Sequence, residues 1–269
     1  MRASPDGDRG GVRRTTTIPM THRRVTPPRP ALRHEAVTAI VVVVPARDEA
    51  GTIDACIRSI DRAAAVCRSV PTSVVVAADC CRDDTAARAR ATVTTAVDVV
   101  VLEGRWRGPS AARAAAVRHA LAGRDPATTW LAHTDADCLV GAGWLAGHLV
   151  HARGGFDAIA GTVLLDASAP ADLVTRFEAA YVLGVDAHRH VHAANFGVRA
   201  DAYVAAGGWL ARTVVGEEHD LWRRLGRAGF RVTQPLDVAV RTSARRHGRV
   251  VGGFASWLAR LEGAVAAGG

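Results

Sequence analysis

Unbroken runs of apolar residues alternate with amphipathic stretches from residue 38 onward. Residues 38–44 read Thr-Ala-Ile-Val-Val-Val-Val, and Ile53, Cys56, Ile57 and Ile60 follow at the spacing of one helix face. A run without polar alternation is typical of a strand buried on both faces, as in a parallel sheet. The pattern therefore predicts a β-strand that leads into an α-helix.

The same unit recurs through the first half of the chain. We predict strands over 73–78, 97–102 and 130–133, and helices over 84–91 and 110–121. Strands that alternate with helices favour parallel βαβ units with right-handed crossovers. The predicted fold class is therefore α/β and Rossmann-like, with a mostly parallel central sheet flanked by helices.

The regularity decreases after residue 155, where we place a boundary between two halves. In the second half the pattern predicts a strand over 157–165 and helices over 172–185, 214–229 and 253–261. The last helix has an apolar face, which fits packing on the core better than contact with a membrane surface.

Positive charge is concentrated at the N-terminus. Residues 1–37 hold eight Arg against three acidic residues and account for +5 of the formal net charge of +8, so the other 232 residues carry only +3. The segment is rich in Arg, Thr, Pro and Gly without periodicity, and we predict a disordered tail. The body has no long basic run, so no nucleic-acid partner is expected.

Missing residue types exclude several kinds of chemistry. All 34 basic residues are Arg, so neither a P-loop lysine nor a Schiff base is available. The five cysteines form no CxxC pair, which favours reduced thiols in a cytoplasmic protein over a zinc cluster or disulfides. No apolar run reaches 18 residues, which predicts no transmembrane helix. No apolar segment follows Arg13-Arg14, which argues against a twin-arginine signal.

Asp135-Ala136-Asp137 follows the fourth predicted strand and is the most informative motif in the chain. Two carboxylates this close repel each other unless a cation neutralises them. A hard divalent ion prefers such oxygens and often carries phosphate oxygens with it. Because ligands of open α/β sheets bind at the carboxyl ends of the strands, we predict a metal–diphosphate site at this edge.

Polar residues follow the earlier strands as well. Asp79 ends the second strand, too far ahead of the next helix to cap it, so its carboxylate is a candidate partner for a base N–H or ribose hydroxyls. Capping fits Asp83 or Asp84 instead. No GxGxxG follows the first strand, which disfavours a dinucleotide cofactor.

Two helix starts carry further candidate chemistry. Pro109 suits a first helical turn, where Arg105 and Arg107 could add charge for an anion, although a plain flexible loop fits equally well. At the start of a later helix, Glu218 could take a proton from an attacking hydroxyl. Asp220 on the same helix could be no more than a favourable charge in its first turn.

Over residues 38–260 these features resemble glycosyltransferase family 2, whose members have the GT-A fold. The resemblance rests on five motifs in the family's order: Pro45-Ala46-Arg47-Asp48-Glu49, the loop with Asp79 and Asp83, Asp135-Ala136-Asp137, the segment from Asn195 to Gly207-Gly208-Trp209, and Gly216-Glu217-Glu218-His219-Asp220-Leu221. It implies that residues 38–155 bind a nucleotide-diphosphate sugar. Residues 156–269 would form a smaller acceptor-side and catalytic half of the same GT-A domain.

The resemblance also implies roles for individual residues. Asp79 would meet the nucleobase, and Asp135 the ribose or sugar. Asp137 would bind Mn²⁺ or Mg²⁺, with His247 as a further ligand and Asp135 as an alternative one. Glu218 falls at the position of the catalytic base, where the family usually has Asp. Further donor contacts fall on Pro45, Arg47, Glu49, Arg107, Gly108, Arg245 and Arg246. The acceptor side comprises His192, Asn195, Gly197, Trp209, Glu217 and Asp220.

Several alternatives stay open on the sequence. Transfer with inversion is the leading hypothesis, but a retaining enzyme or an inactive sugar-nucleotide-binding relative would carry the same motifs. Cys80-Cys81-Arg82 replaces the family's Gly-Ser-Thr, which leaves the nucleobase open. A phosphatase of the haloacid dehalogenase type is disfavoured, because it would carry DxD on its first strand.

Two further hypotheses concern other parts of the chain. His188-x-His190-x-His192 would share one strand face and suit a metal, although an acceptor contact by His192 is the stronger reading. The competing functional class is a nucleic-acid or membrane-surface module that acts through the basic tail. Donor sugar and acceptor stay open, with lipids, glycans, small molecules and proteins all candidate acceptors.

Overall fold

Seven strands form the central sheet of the computed structural model, which describes residues 35–185, 187–210, 216–245 and 253–263. Residues 1–34 of the predicted tail lie outside the described residues, as do the predicted site residues Arg246 and His247. The described residues all belong to one compact unit.

Strands and helices alternate along the described chain. The strands are β1 (Ala39–Ala46), β2 (Thr72–Asp79), β3 (Val97–Gly104), β4 (Thr129–His133), β5 (Cys138–Val140), β6 (Ala158–Ala160), β7 (Thr162–Leu165), β8 (Phe196–Arg199), β9 (Val232–Thr233) and β10 (Ala239–Thr242). The helices are α1 (Ile53–Val66), α2 (Thr85–Ala91), α3 (Pro109–Leu121), α4 (Trp144–Arg153), α5 (Ala171–Ala180), α6 (Ala200–Ala205), α7 (Glu217–Arg227) and α8 (Phe254–Gly263). A short 3-10 helix spans Ala193–Asn195.

The large sheet has the strand order β3-β2-β1-β4-β8-β6-β9, and a smaller sheet has the order β5-β10-β7. β3, β2, β1 and β4 run parallel, whereas β8 is antiparallel to both β4 and β6. The strand order reverses between β1 and β4, so a crevice is expected at the carboxyl ends of these strands. The predicted α/β class with a mostly parallel central sheet is confirmed.

Each face of the large sheet has its own core. On one face Ile40 and Val42 of β1 pack in a cluster with Ile57 of α1. On the other face Val41 and Val43 pack in a cluster with residues of α3. Because helices cover both faces, β1 buries every side chain from 40 to 46, which explains its lack of polar alternation.

The strand predicted over 157–165 is in fact two strands, β6 and β7, in different sheets. They separate at Gly161, where a Cβ atom would collide with Asn195 Nδ2 and with the carbonyl oxygen of Val238. Only glycine allows the backbone to approach so closely, and the chain passes from one sheet to the other at this point.

The helix predicted over 172–185 ends earlier, at Ala180. Tyr181 stacks on Phe177 with ring centroids 5.0 Å apart, and its hydroxyl accepts a hydrogen bond of 3.2 Å from the Val163 N–H. These contacts hold Tyr181 inside the protein and turn the chain away from the helix axis.

The helix predicted over 214–229 is α7, and residues 214–215 lie outside the described ranges.

The last predicted helix is α8, and it packs against α5. Leu258 of α8 is fully buried in a cluster with Leu173 and Phe177 of α5. This placement agrees with the core-packing interpretation of its apolar face. Every described helix is too short or too polar to cross a lipid bilayer.

Candidate active site

A cleft of about 490 Å³ opens at the carboxyl ends of β1, β2 and β4. Its wall contains most of the residues that the sequence singled out: Pro45, Arg47, Glu49, Asp79, Arg107, Gly108, Asp135, Asp137, His192, Glu217, Glu218 and Arg245. The parallel strands β1, β2 and β4 bring the loops after them to one edge of the sheet. The segment before β8, the start of α7 and the segment after β10 add the remaining residues.

Arg245 bridges two carboxylates from different loops of the cleft. Its Nη2 lies 3.0 Å from Asp137 Oδ2, and its Nη1 donates to Glu49 Oε1 at 2.6 Å. The side chain of Asp137 is only 12% exposed. Burial raises the pKa of Asp137 to about 6; Arg245 opposes this shift, and the carboxylates of Asp135 and Glu49 add to it. The Asp137 carboxylate is therefore short of positive charge even with Arg245 beside it.

This shortage of positive charge makes the cleft suitable for a divalent cation. Asp137 offers carboxylate oxygens, which Mg²⁺ and Mn²⁺ prefer, and the negative charges of Asp135 and Glu49 lie close enough to act on it. A cation at Asp137 would compete with Arg245 for the same oxygens. The predicted ligand His247 lies outside the described part of the chain.

A second group of donor atoms converges beside the cleft. Within the described ranges, Asp48, Cys81 and Asp83 place one ligand atom each within 4.8 Å of one another. Their carboxylates already accept backbone hydrogen bonds, Asp48 from Arg82 N–H at 2.7 Å and Asp83 from Ala50 N–H at 3.0 Å. These bonds join the loops after β1 and β2, which gives the group a structural role.

Arg113 is a buried site residue that the sequence analysis missed. Its guanidinium donates to Asp135, and also to Glu217 Oε1 at 3.2 Å. It also lies over the ring of Trp209, 5.5 Å from the centroid. Arg113 therefore links the acidic doublet after β4 to the first turn of α7. The sequence feature that could have indicated Arg113 is a single Arg on the buried, alanine-rich face of α3.

We expect methionine in place of Arg113 to lower the free energy of unfolding by about 3 kcal/mol, as when one partner of a buried ion pair is removed. Asp135 and Glu217 would lose their shared cation, and the pKa of Glu217 would rise further. Urea denaturation measures the effect. Arg118→Met on the exposed side of α3 is the matched control. Equal losses in both variants would contradict a bridging role for Arg113.

Asp79 is engaged with the loop that precedes α3. Its Oδ1 accepts from the N–H groups of Trp106 (2.7 Å) and Arg107 (2.9 Å), and its Oδ2 accepts from Gly108 N–H (2.8 Å). Asp79 thus fixes the loop that carries Arg107 and Gly108 into the cleft. Its contact with a nucleobase stays a prediction. Arg105, by contrast, is exposed and outside the described cleft wall.

The two alternatives for capping α2 are also resolved in the structure. Asp83 Oδ1 accepts from Thr85 N–H at 3.1 Å, whereas Asp84 makes no side-chain capping bond. Asp83 is therefore the residue whose carboxylate accepts a backbone N–H at the start of α2.

The first turn of α7 brings two glutamates to the cleft. Gly216, with φ of +83°, precedes the helix in a left-handed conformation that favours glycine. Burial raises the pKa of Glu217, which the Arg113 cation opposes. Burial also raises the pKa of Glu218, whose side chain is 18% exposed. A glutamate with a raised pKa at the cleft surface suits a general base near neutral pH.

Asp220 lies away from the described cleft wall. Its Oδ2 accepts from Arg224 Nε at 2.8 Å, and the same guanidinium donates to the carbonyl oxygens of Ala206 and Gly208. Asp220 was predicted on the acceptor side. Its contacts hold the glycine turn that precedes Trp209, and its acceptor-side role stays a prediction.

Three other residues predicted on the acceptor side make hydrogen bonds or packing contacts inside the fold. Asn195 Nδ2 donates to the carbonyl oxygens of Thr162 (2.8 Å) and Val238 (2.9 Å), which ties the two sheets together. A Cβ atom at Gly197 would collide with His148 and Trp130. Trp209 packs against His133 and Phe196 in the core. None of the three belongs to the described cleft wall, and their placement gives them a structural role.

The three alternating histidines form a stack. Ring centroids of His188 and His190 are 5.8 Å apart, and those of His190 and His192 are 5.9 Å apart. Tyr181 stacks on His190 at 4.0 Å. Among the described residues these imidazoles form no converging ligand group, so the metal alternative for them has no support.

The sequence profile described as Glycosyl transferase family 2 matches residues 41–176, just over half of the chain. This range contains the loops after β1, β2 and β4, and therefore the acidic doublet. No curated protein sequence matches the chain significantly.

Solved structures share the fold at low sequence identity. The mannosyltransferase PcManGT from Pyrobaculum calidifontis, in complex with GDP-Man and Mn²⁺, is 18% identical with a TM-score of 0.58, over 86% of this chain and 75% of that chain. TarS 1-349 from S. aureus in complex with UDP-GlcNAc is 15% identical with a TM-score of 0.55, over 80% of this chain. The match spans only 61% of the TarS fragment. These likenesses show the GT-A fold, and with the profile match they confirm that the chain belongs to glycosyltransferase family 2.

Proposed function

We propose that this protein transfers a sugar from a nucleoside-diphosphate donor to an acceptor hydroxyl, with inversion and with Mn²⁺ or Mg²⁺. The main support is that one cleft brings together Asp137, which shares the Arg245 guanidinium with Glu49, and Glu218, whose pKa is raised. Complexes of fold relatives with GDP-Man and Mn²⁺ and with UDP-GlcNAc agree with this proposal.

The donor would lie along the edge that carries β1, β2 and β4. A cation held by Asp137, with His247 or Asp135 as further ligand, would neutralise charge on the departing diphosphate. Arg245, released from Asp137, would then be able to bind phosphate oxygens with its two-pronged guanidinium. Asp79 would keep the loop with Arg107 and Gly108 in place at the start of α3.

Glu218 would act as the general base. Its carboxylate would accept the proton of the acceptor hydroxyl while the hydroxyl oxygen forms a bond to the anomeric carbon and the bond to the diphosphate breaks. Arg113 would position the neighbouring Glu217 and Asp135 through its two ion pairs. Retaining transfer and simple donor binding are the competing outcomes.

A donor panel tests the proposal. UDP-glucose, UDP-GlcNAc and GDP-mannose are incubated with the protein and Mn²⁺, and released nucleoside diphosphate is measured with and without EDTA. We expect release from at least one donor and its loss with EDTA, and an inverted anomer in the NMR spectrum of the product. A donor that binds without turnover would indicate an inactive relative, and a retained anomer would contradict the base assignment.

Deletion of residues 1–34 tests the competing class. All described residues that line the cleft fall between Pro45 and Ala255, so we expect donor turnover to survive the deletion unchanged. A module that works through its basic tail would lose its function, and its binding to duplex DNA or anionic vesicles would disappear. Fluorescence anisotropy measures that binding for the full chain and the shortened chain.

We place the enzyme in the cytoplasm, which agrees with its five free thiols.

A further inference from the structure

The cleft has a second wall that differs in chemistry from the charged one. It is formed by Val163 of β7, the segment 192–194, and Phe254 and Ala255 of α8, and we call it the apolar wall. The apolar wall contains no Asp, Glu or Arg among its described residues. The ion pairs of Arg245 and Arg113 described above involve none of its residues.

Direct contacts join the members of the apolar wall. The ring of His192 lies edge-on to Phe254 at 6.1 Å and stacks with Tyr181 at 5.7 Å. The Tyr181 hydroxyl in turn accepts the hydrogen bond from Val163 N–H. Phe254 is further supported by Trp257, at 5.6 Å between centroids. The wall is therefore one packed surface that includes the start of α8.

His192 is the ionisable side chain of this wall. Burial lowers its pKa to about 3, and the neighbouring His190 and His188 contribute to the shift. The imidazole is therefore neutral at physiological pH, and the apolar wall carries no charge there. The imidazole Nε2 is buried and has no hydrogen-bond partner among the described residues.

Exposed apolar side chains also occur close along the chain to Tyr181, which contacts this wall. The chain that follows Tyr181 exposes Val182 (72%), Leu183 (45%) and Val185 (93%). Contiguous exposed apolar side chains next to a cleft are typical of a binding surface.

A polyhydroxylated acceptor fits this wall poorly. Each buried sugar hydroxyl that finds no partner costs free energy, so glycan sites provide several polar side chains. The apolar wall provides one imidazole among valine, alanine and phenylalanine side chains. Its composition matches a ligand that needs few hydrogen bonds and gains from leaving water.

We infer that the acceptor is a hydroxyl compound with an apolar alkyl or aryl body, which lies on Phe254 and Val163 while its hydroxyl reaches Glu218. This inference rests on the proposed function and adds the acceptor class to it. Phe254 is then a specificity-determining residue, because its half-buried ring presents apolar surface to the cleft at the start of α8.

Paired compounds test the inference. Methanol and octan-1-ol form one pair, and ethanol and 3-phenylpropan-1-ol the other, with UDP-glucose and GDP-mannose as donors. Transfer to each compound is measured, together with its ability to suppress hydrolysis of the donor by water. We expect the apolar member of each pair to act at concentrations at least about tenfold lower, since several methylene groups leave water.

Three variants identify the surface responsible. Phe254→Ala should reduce the preference to about threefold or less, and Phe254→Leu should keep most of it, because leucine retains apolar area. Phe156→Ala removes an aromatic ring that lies outside the described cleft wall and should leave the preference unchanged. Donor hydrolysis in water reports whether each variant is folded and binds donor.

The outcomes separate the two proposals. Donor turnover without any preference for the apolar compounds, or with a preference that Phe254→Ala leaves intact, would overturn the acceptor class and leave the transferase proposal standing. Absence of donor binding and turnover in the wild-type protein would overturn both.

Discussion

Asparagine in place of Asp137 is expected to lower sugar transfer at least about a hundredfold, because the cation and the departing diphosphate lose the carboxylate that holds them. Asparagine has the same shape, and Arg245 keeps its bond to Glu49. The loss should therefore come from charge and leave the architecture of the cleft intact. Steady-state kinetics over a range of Mn²⁺ concentrations measures it.

The same variant should not lose stability at neutral pH. The pKa of Asp137 is raised to about 6, so its protonated form is favoured in the folded state. The protonated carboxyl stabilises the folded state at low pH, and this stabilisation is lost as the pH rises through 6. The free energy of unfolding is therefore about 3 kcal/mol lower at neutral pH than at low pH. Asparagine removes this cost. Urea denaturation at pH 4 and at pH 7.5 measures the free energy of unfolding. Between these two pH values it should fall less in the variant than in the wild type.

Asp98→Asn is the matched control, because Asp98 is exposed on β3, away from the described cleft wall. We expect this variant to keep both wild-type activity and wild-type pH dependence of stability. Full activity in Asp137→Asn would remove the basis for a cation at this carboxylate. A large loss of stability at pH 7.5 would show that Asp137 is a structural residue.

Glutamine in place of Glu218 is expected to lower the transfer rate by about 10²- to 10⁴-fold, the usual contribution of a general base. Donor affinity should be unchanged, because the other cleft residues that would hold the donor stay in place. Burial raises the pKa of Glu218, so wild-type activity should fall as the pH drops through that raised pKa and the carboxylate becomes protonated. The variant should lose this dependence.

Two further substitutions make the test of Glu218 specific. Glu218→Asp restores the residue usual in the family and should keep a larger share of activity than Glu218→Gln. Glu178→Gln, on the exposed side of α5, should behave as wild type. A Glu218→Gln enzyme with wild-type kcat and pH profile would contradict the base assignment.

The first half of the fold was predictable because burial on both faces of a strand leaves a pattern within the strand's own sequence. Strands covered on both faces must be apolar throughout, so β1, β2 and β4 stand out as unbroken runs. The carboxyl ends of parallel strands meet at one edge, so the loops after them were expected to converge. Asp79, Asp135 and Asp137 do line one cleft.

The missed features depend on long-range contacts. Arg113 pairs with residues 22 and 104 positions away, and nothing in the alanine-rich helix around it indicates either partner. Asn195 resembled a site residue, yet from its place before β8 of the large sheet its amide donates to backbone carbonyls of the small sheet, at Thr162 and just before β10 at Val238. The division of the 157–165 strand at Gly161 follows from that same contact. Local pattern does not specify which distant backbone a side chain meets.

A cation at Asp137 can be detected in a crystal structure of the protein soaked with MnCl₂ and UDP or GDP, with anomalous data collected near the manganese edge. We expect an anomalous peak within bonding distance of Asp137 and the diphosphate, with Arg245 no longer on the Asp137 carboxylate. A bound nucleotide with no manganese at Asp137, or a cleft that stays empty with the Arg245–Asp137 pair intact, would contradict a cation site at Asp137.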